Sequence, residues 1–152
     1  MDVTIARAVH VLAVLMWIGG VAFVTSVMLP SLRRHHDPAE RASAFQRIEG
    51  SFAPQARLWV LLAGASGFWM IHRAQMWERF ADPRFWWMHA MVGLWAVFAA
   101  MLFVIEPLFL HRRTKRSLEA ADLARLESLH RVLLALAIVT LLGAVAGSHG
   151  LT

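Results

Sequence analysis

The sequence predicts an all-α integral membrane protein, an up-down bundle of four transmembrane helices in one domain over 1–152. Three observations carry that prediction. Four apolar stretches, at 5–29, 53–72, 85–110 and 129–147, each approach the roughly 20 residues a helix needs to cross a bilayer. None of them shows the alternation of apolar and polar residues that marks a strand. Hydrophobic residues make up 59% of the chain and charged residues 16%, well below the roughly one quarter usual in soluble domains. Four helices and their loops use nearly the whole length, which leaves no second domain.

The first stretch opens with Asp2, runs long and lacks a small-residue cleavage site, so it is expected to stay as a helix rather than leave as a signal peptide. The loop after it carries a short amphipathic helix at 38–50, and the fourth helix is expected to begin early, at 117–127; both read as solvated surface. Arg33, Arg34, Arg41, Arg47, Arg57, Arg112, Arg113, Lys115, Arg116, Arg125 and Arg131 border the first and third loops. Only Arg7, Arg73, Arg79 and Arg84 lie at the opposite end. The positive-inside rule therefore places the chain in a bacterial inner membrane with both termini on the periplasmic, outer side. The net charge of +5 serves this orientation, and no nucleic-acid partner is implied.

Tryptophans 59, 69, 77, 86 and 87 sit mostly near span ends, where an indole favours the headgroup zone. Small residues gather at Gly19 and Gly20, at 63–67, and at Gly143, Ala146 and Gly147. They serve either close helix packing or the seating of a flat ligand, and spacing does not separate the two. Cysteine is absent, which excludes disulfides, thiolate metal sites, iron–sulfur clusters and covalent haem attachment. Any metal falls to His, Met or carboxylate.

Depth sorts the eight histidines. At the helical rise, His10 lies about two turns and His89 about one turn below the outer surface, and His72 and His149 mark the outer ends of the second and fourth helices. His35, His36, His111 and His130 belong to the other side. In an up-down bundle helices 1 and 3 are diagonal neighbours, as are helices 2 and 4, so His10 faces His89 and His72 faces His149. A diagonal gap suits a haem held by one imidazole on each face. His10 shares a helix face with Ala13, Val14 and Trp17, and His89 shares one with Val92, Gly93 and Ala96, small neighbours that let a porphyrin edge approach. The structural alternative is that each histidine bonds a neighbouring helix or meets interfacial water. Glu106, the carboxylate inside the third stretch, pairs with Arg57 or His130 in a structural reading and carries protons or meets quinone in a functional one.

The run from His10 through Trp17, Gly19 and Gly20 to Leu29-Pro30 resembles the first helix of copper-resistance D-like membrane proteins and of the related HemJ-type protoporphyrinogen oxidases. Arg47-Ile48-Glu49 and Trp86-Trp87-Met88-His89-Ala90-Met91 are similar to later landmarks of the same group. The resemblance implies a small bundle that binds b-type haem, with His10 as a ligand. HemJ-type enzymes carry a lysine two residues after the later histidine, where this chain has Met91.

The leading expectation is a membrane protein that binds haem b (protohaem IX) and takes part in electron transfer or a redox reaction at the outer face. Its iron would be held by His10 and His89, with His72 and His149 as further candidates and Trp17 and Gly93 beside the cofactor. A membrane quinone or a redox partner protein would be the electron source. The first alternative is copper handling through His10, His72 and His89 with Met70, Met76 or Met88. The others are the HemJ-like oxidase activity and a cofactor-free assembly subunit; homo-oligomerisation fits any of them. Only one carboxylate lies within a span, which disfavours a transporter, and no nucleotide loop or hydrolase triad is present.

Overall fold

The computed structural model describes residues 2–105 and 120–150, and every regular element among them is helical. Helix α1 (Asp2–Phe23) passes through a π-helical turn (Val24–Met28) into α2 (Leu29–His35), making one continuous span. The widened turn is registered by the Leu29 N–H donating to the Val24 carbonyl, five residues back. Its cause is Pro30, which has no N–H for the Ser26 carbonyl and whose ring crowds it, so the preceding turn opens. Thr25, buried there, donates its hydroxyl to the Val21 carbonyl at 2.7 Å where the ladder changes register.

Helix α3 (Pro38–Arg73) merges two elements that the sequence analysis kept apart, the surface helix at 38–50 and the stretch at 53–72. Asp37 is extended at its start, and Pro38 occupies a first-turn position where the missing N–H costs nothing. Pro54 does not end the helix. It removes the single rung to the Gly50 carbonyl, and both residues are exposed, so the loss is confined to one face. Gln75, in the left-handed region at φ 52°, turns the chain out of α3. Two 3-10 turns (Met76–Ala81 and Pro83–Phe85) then lead into α4 (Trp86–Ala100), which ends in a second π turn (Met101–Ile105). The sequence places Pro107 two residues beyond that turn, the same offset as Pro30 from Met28. Glu106, Pro107 and His111 lie outside the described residues. Helix α5 (Ala120–Ser148) completes the chain.

Among the described residues, three helices are long and apolar enough to cross a membrane: Asp2–His35, Pro83–Ile105 and Ala124–Ser148. The apolar stretch of α3 is not among them, because Pro54, Gln55, Arg57, Gly64, Ser66 and Gly67 dilute it. The three spans are apolar on the outside as well as inside. Ile5, Leu12, Leu15, Leu136, Val139 and Leu142 are all exposed, a pattern that water penalises and a lipid bilayer favours.

Helix α1 lies along α3, and α4 lies along α5, with smaller contacts between α3 and α4 and between α1 and α5. All four meet in one core of Ala13, Trp17 and Val21 from α1, Val60 and Ala63 from α3, Phe98 from α4 and Leu133 from α5. A second cluster, toward the basic end, joins Val24, Met28, Leu29 and Leu32 to Ala44 and Phe45, with Phe52 and Leu126 against it.

The small residues of the interior are seats for aromatic rings. A Cβ at Gly64 would meet the Trp95 indole at 2.6 Å, one at Gly143 the Trp86 indole at 2.5 Å, and one at Gly20 the Phe52 ring at 2.6 Å. Gly147 receives Trp87 in the same way. Of the two roles open to these residues, close packing is what the chain's own indoles and phenyl ring occupy.

Candidate functional site

His10 reaches from α1 onto the small-residue stretch of α3. Its Nδ1 lies 2.9 Å from the Ala63 carbonyl and 3.2 Å from Ser66 Oγ. Ser66 in turn donates to the Leu62 carbonyl at 2.5 Å, so its oxygen is free to accept. A carbonyl can only accept, which puts a proton on Nδ1 and, in the neutral ring, leaves the lone pair on Nε2. Gly67 makes the space for this: a Cβ there would stand 3.1 Å from His10 Cε1. The ring is half-buried, and below it on the same face Ala13 and Trp17 are buried.

Trp17 crosses the interior to Phe98 of α4, with ring centroids 5.1 Å apart and planes at 84°. It is 6% exposed, and among the described residues its indole N–H has no hydrogen-bond partner. Trp95, which the sequence analysis did not single out, fills the other side of the α3 stretch. Its Nε1–H donates to the Val60 carbonyl at 2.9 Å, and its ring stands edge-on to Phe68 at 5.6 Å.

His89, His72 and His149 are placed at exposed positions. His89, in the first turn of α4, is exposed, with its ring edge-on to Phe80 at 5.1 Å; Phe80 in turn leans on Trp77 at 6.2 Å. His72 is exposed in the last turn of α3. His149, beyond α5, is exposed and turns Nδ1 back to the Val145 carbonyl at 2.8 Å. His130 does the same to Leu126 at 2.9 Å. His10 is thus the candidate whose ring is held by another helix. Gly93 is exposed and open on its Cα side, and lines an apolar groove of about 260 Å³ with Ala90 and Val97 of α4 and Leu133, Leu136 and Thr140 of α5. Among the described residues, no three His, Cys, Asp or Glu side chains converge as a metal site.

The basic end holds a second polar group. Glu127 was expected on a solvated extension of the fourth helix, but it is 4% exposed and bridges two helices. Its Oε2 accepts from Arg33 Nη1 at 3.4 Å and its Oε1 from Arg131 Nη2. The Arg131 half was readable as a pair four residues apart; the Arg33 half joins segments far apart in the chain. Nearby, Arg41 donates to the Arg33 and His36 carbonyls at 2.9 and 3.0 Å, capping the end of α2.

Comparison with protein-family models, with curated proteins and with solved structures found no match for this chain.

Proposed function

We propose that the chain is a b-type haem-binding membrane protein, a four-span up-down bundle acting in electron transfer or a redox reaction at the outer face, with His10 as the first axial ligand and His89 as the second. The observation that carries this reading is the setting of His10. Its Nδ1–H is spent on Ala63 and Ser66, leaving Nε2 as the coordinating atom, which is how metal-ligating imidazoles are usually oriented from behind. Bound haem would supply a reversible one-electron carrier. The chain's own part is to fix the His10 ring and its tautomer, and to keep the surroundings apolar. The unpartnered Trp17 N–H offers a donor to a polar group brought into the interior.

In this reading α3 is the fourth span, packed chiefly against α1. The basic end faces the cytoplasm, and a quinone or redox partner protein delivers the electron. The likeness to copper-resistance D-like proteins points the same way.

The aromatic seats favour a second reading, a cofactor-free assembly subunit. Trp95, Trp86 and Trp87 occupy the cleared space at Gly64, Gly143 and Gly147, and His10 then serves as a clip between α1 and α3.

Visible spectra of the protein purified in mild detergent, oxidised and dithionite-reduced, separate the readings. A reduced α-band of b-type haem that is lost in His10→Ala and in His89→Ala supports haem with both ligands. A band that survives His89→Ala reassigns the second ligand. A colourless protein made with ample haem refutes the haem reading; copper by elemental analysis then tests a copper site, and its absence leaves the assembly subunit.

A further inference from the structure

Glu127 divides its carboxylate between two guanidinium groups from different helices, Arg33 of α2 and Arg131 of α5. The carboxylate is buried, yet the arginine side chains are 55% and 62% exposed. Two positive groups around one negative leave the spot with a net positive charge. Each guanidinium has five N–H donors in a planar fork, so a single bond to Glu127 leaves most of them directed outward. Unheld, two arginines would repel; the buried carboxylate keeps them side by side. Arg41 also fixes the backbone beneath Arg33 through the Arg33 carbonyl.

The surface next to this pair is apolar. Val27 on the π turn and Ile138, two turns beyond Arg131 on the same face of α5, are exposed, and α5 packs against that π turn and against α1. A polar receptor for an anion thus stands at the end of a lipid-facing surface. Further basic residues surround it, Arg34 and Arg125 being exposed.

We propose that Arg33 and Arg131, held together by Glu127, bind the phosphodiester of an anionic phospholipid whose acyl chains run along the face of α5 that carries Ile138. The phosphate meets two planar forks, which suit tetrahedral oxygens better than point charges do. This site is independent of any haem and stands or falls without it.

The test uses the full chain in nanodiscs of phosphatidylcholine, with or without phosphatidylglycerol. Native mass spectrometry reads retained lipid and thermal unfolding reads Tm. The expected result is retention of phosphatidylglycerol over phosphatidylcholine and a higher Tm in its presence. Arg33→Gln/Glu127→Gln/Arg131→Gln, which removes the buried charge together with its partners, should weaken the preference about fivefold, the effect of losing one net positive charge. Arg33→Lys/Arg131→Lys keeps the charge without the forks and should lose less, so it serves if the triple variant fails to fold. Equal retention of the two lipids by the unmodified chain overturns the proposal, as does an unchanged preference in the variants. A Tm rise of the same size from inorganic phosphate in detergent overturns the lipid assignment in favour of a free anion.

Discussion

Trp95 occupies the space of a side chain at residue 64, with its Cε2 and Nε1 atoms 2.6 Å from where a Cβ of Gly64 would stand. The indole has little freedom to yield, because its N–H is tied to the Val60 carbonyl and its ring stands against Phe68. Gly64→Ala should therefore destabilise the fold by about 1–3 kcal/mol, as overpacking does. Gly19 has open space around its Cα, so Gly19→Ala should stay within about 0.5 kcal/mol. Unfolding of both variants in detergent, followed by circular dichroism, checks the contrast; equal effects would mean that the Trp95 seat is loose.

The Arg33–Glu127–Arg131 group should respond asymmetrically. Each arginine is more than half exposed, so Arg33→Gln or Arg131→Gln alone should cost less than about 1 kcal/mol. Removing both strands a buried carboxylate, at roughly 3 kcal/mol or more. Adding Glu127→Gln to the double variant should recover much of that loss. Simple additivity of the two single effects would show that water already reaches the carboxylate.

The apolar spans were legible in the sequence because lipid demands long hydrophobic runs whatever the packing. The union of 38–50 with 53–72 was not, because Gly50 and Pro54 signal a break that an exposed face tolerates. The depth of His10 follows from counting residues at the helical rise. Its partner does not, since Ala63 lies on another helix and only the register between α1 and α3 brings them together. Depth likewise drew His89 and His72 toward the site, whereas their exposure depends on helix rotation and helix ends. The clustered glycines were visible; which indole each receives is again a matter of register.

Arg57 supports the second π turn by donating its Nε–H to the Leu102 carbonyl at 3.2 Å. A widened turn disturbs the backbone ladder, and a charged donor from the neighbouring helix stabilises the carbonyl it reaches. Arg57→Met keeps the aliphatic stem and removes the guanidinium. It should cost about 1–2 kcal/mol and speed amide exchange over 101–105 more than over the rest of α4. Uniform acceleration along the helix would assign the loss to global stability instead.

Asp82 sets the turn before α4. Its carboxyl is held below the usual carboxylate range, first by the Arg84 guanidinium, which donates to both oxygens, and then by the Arg84 backbone N–H at 3.0 Å. A carboxylate whose folded value is depressed contributes stability that is fully present above its unfolded value, near about 3.9, and is lost as pH falls through the folded value. The protection factor of the Arg84 amide should therefore be flat from about pH 8 to about pH 5 and fall only below about pH 4. Asp82→Asn keeps an oxygen acceptor for that amide but cannot titrate, so it should abolish the acid step while leaving the turn formed at neutral pH. An acid step of the same size in Asp82→Asn would overturn the assignment of that step to Asp82.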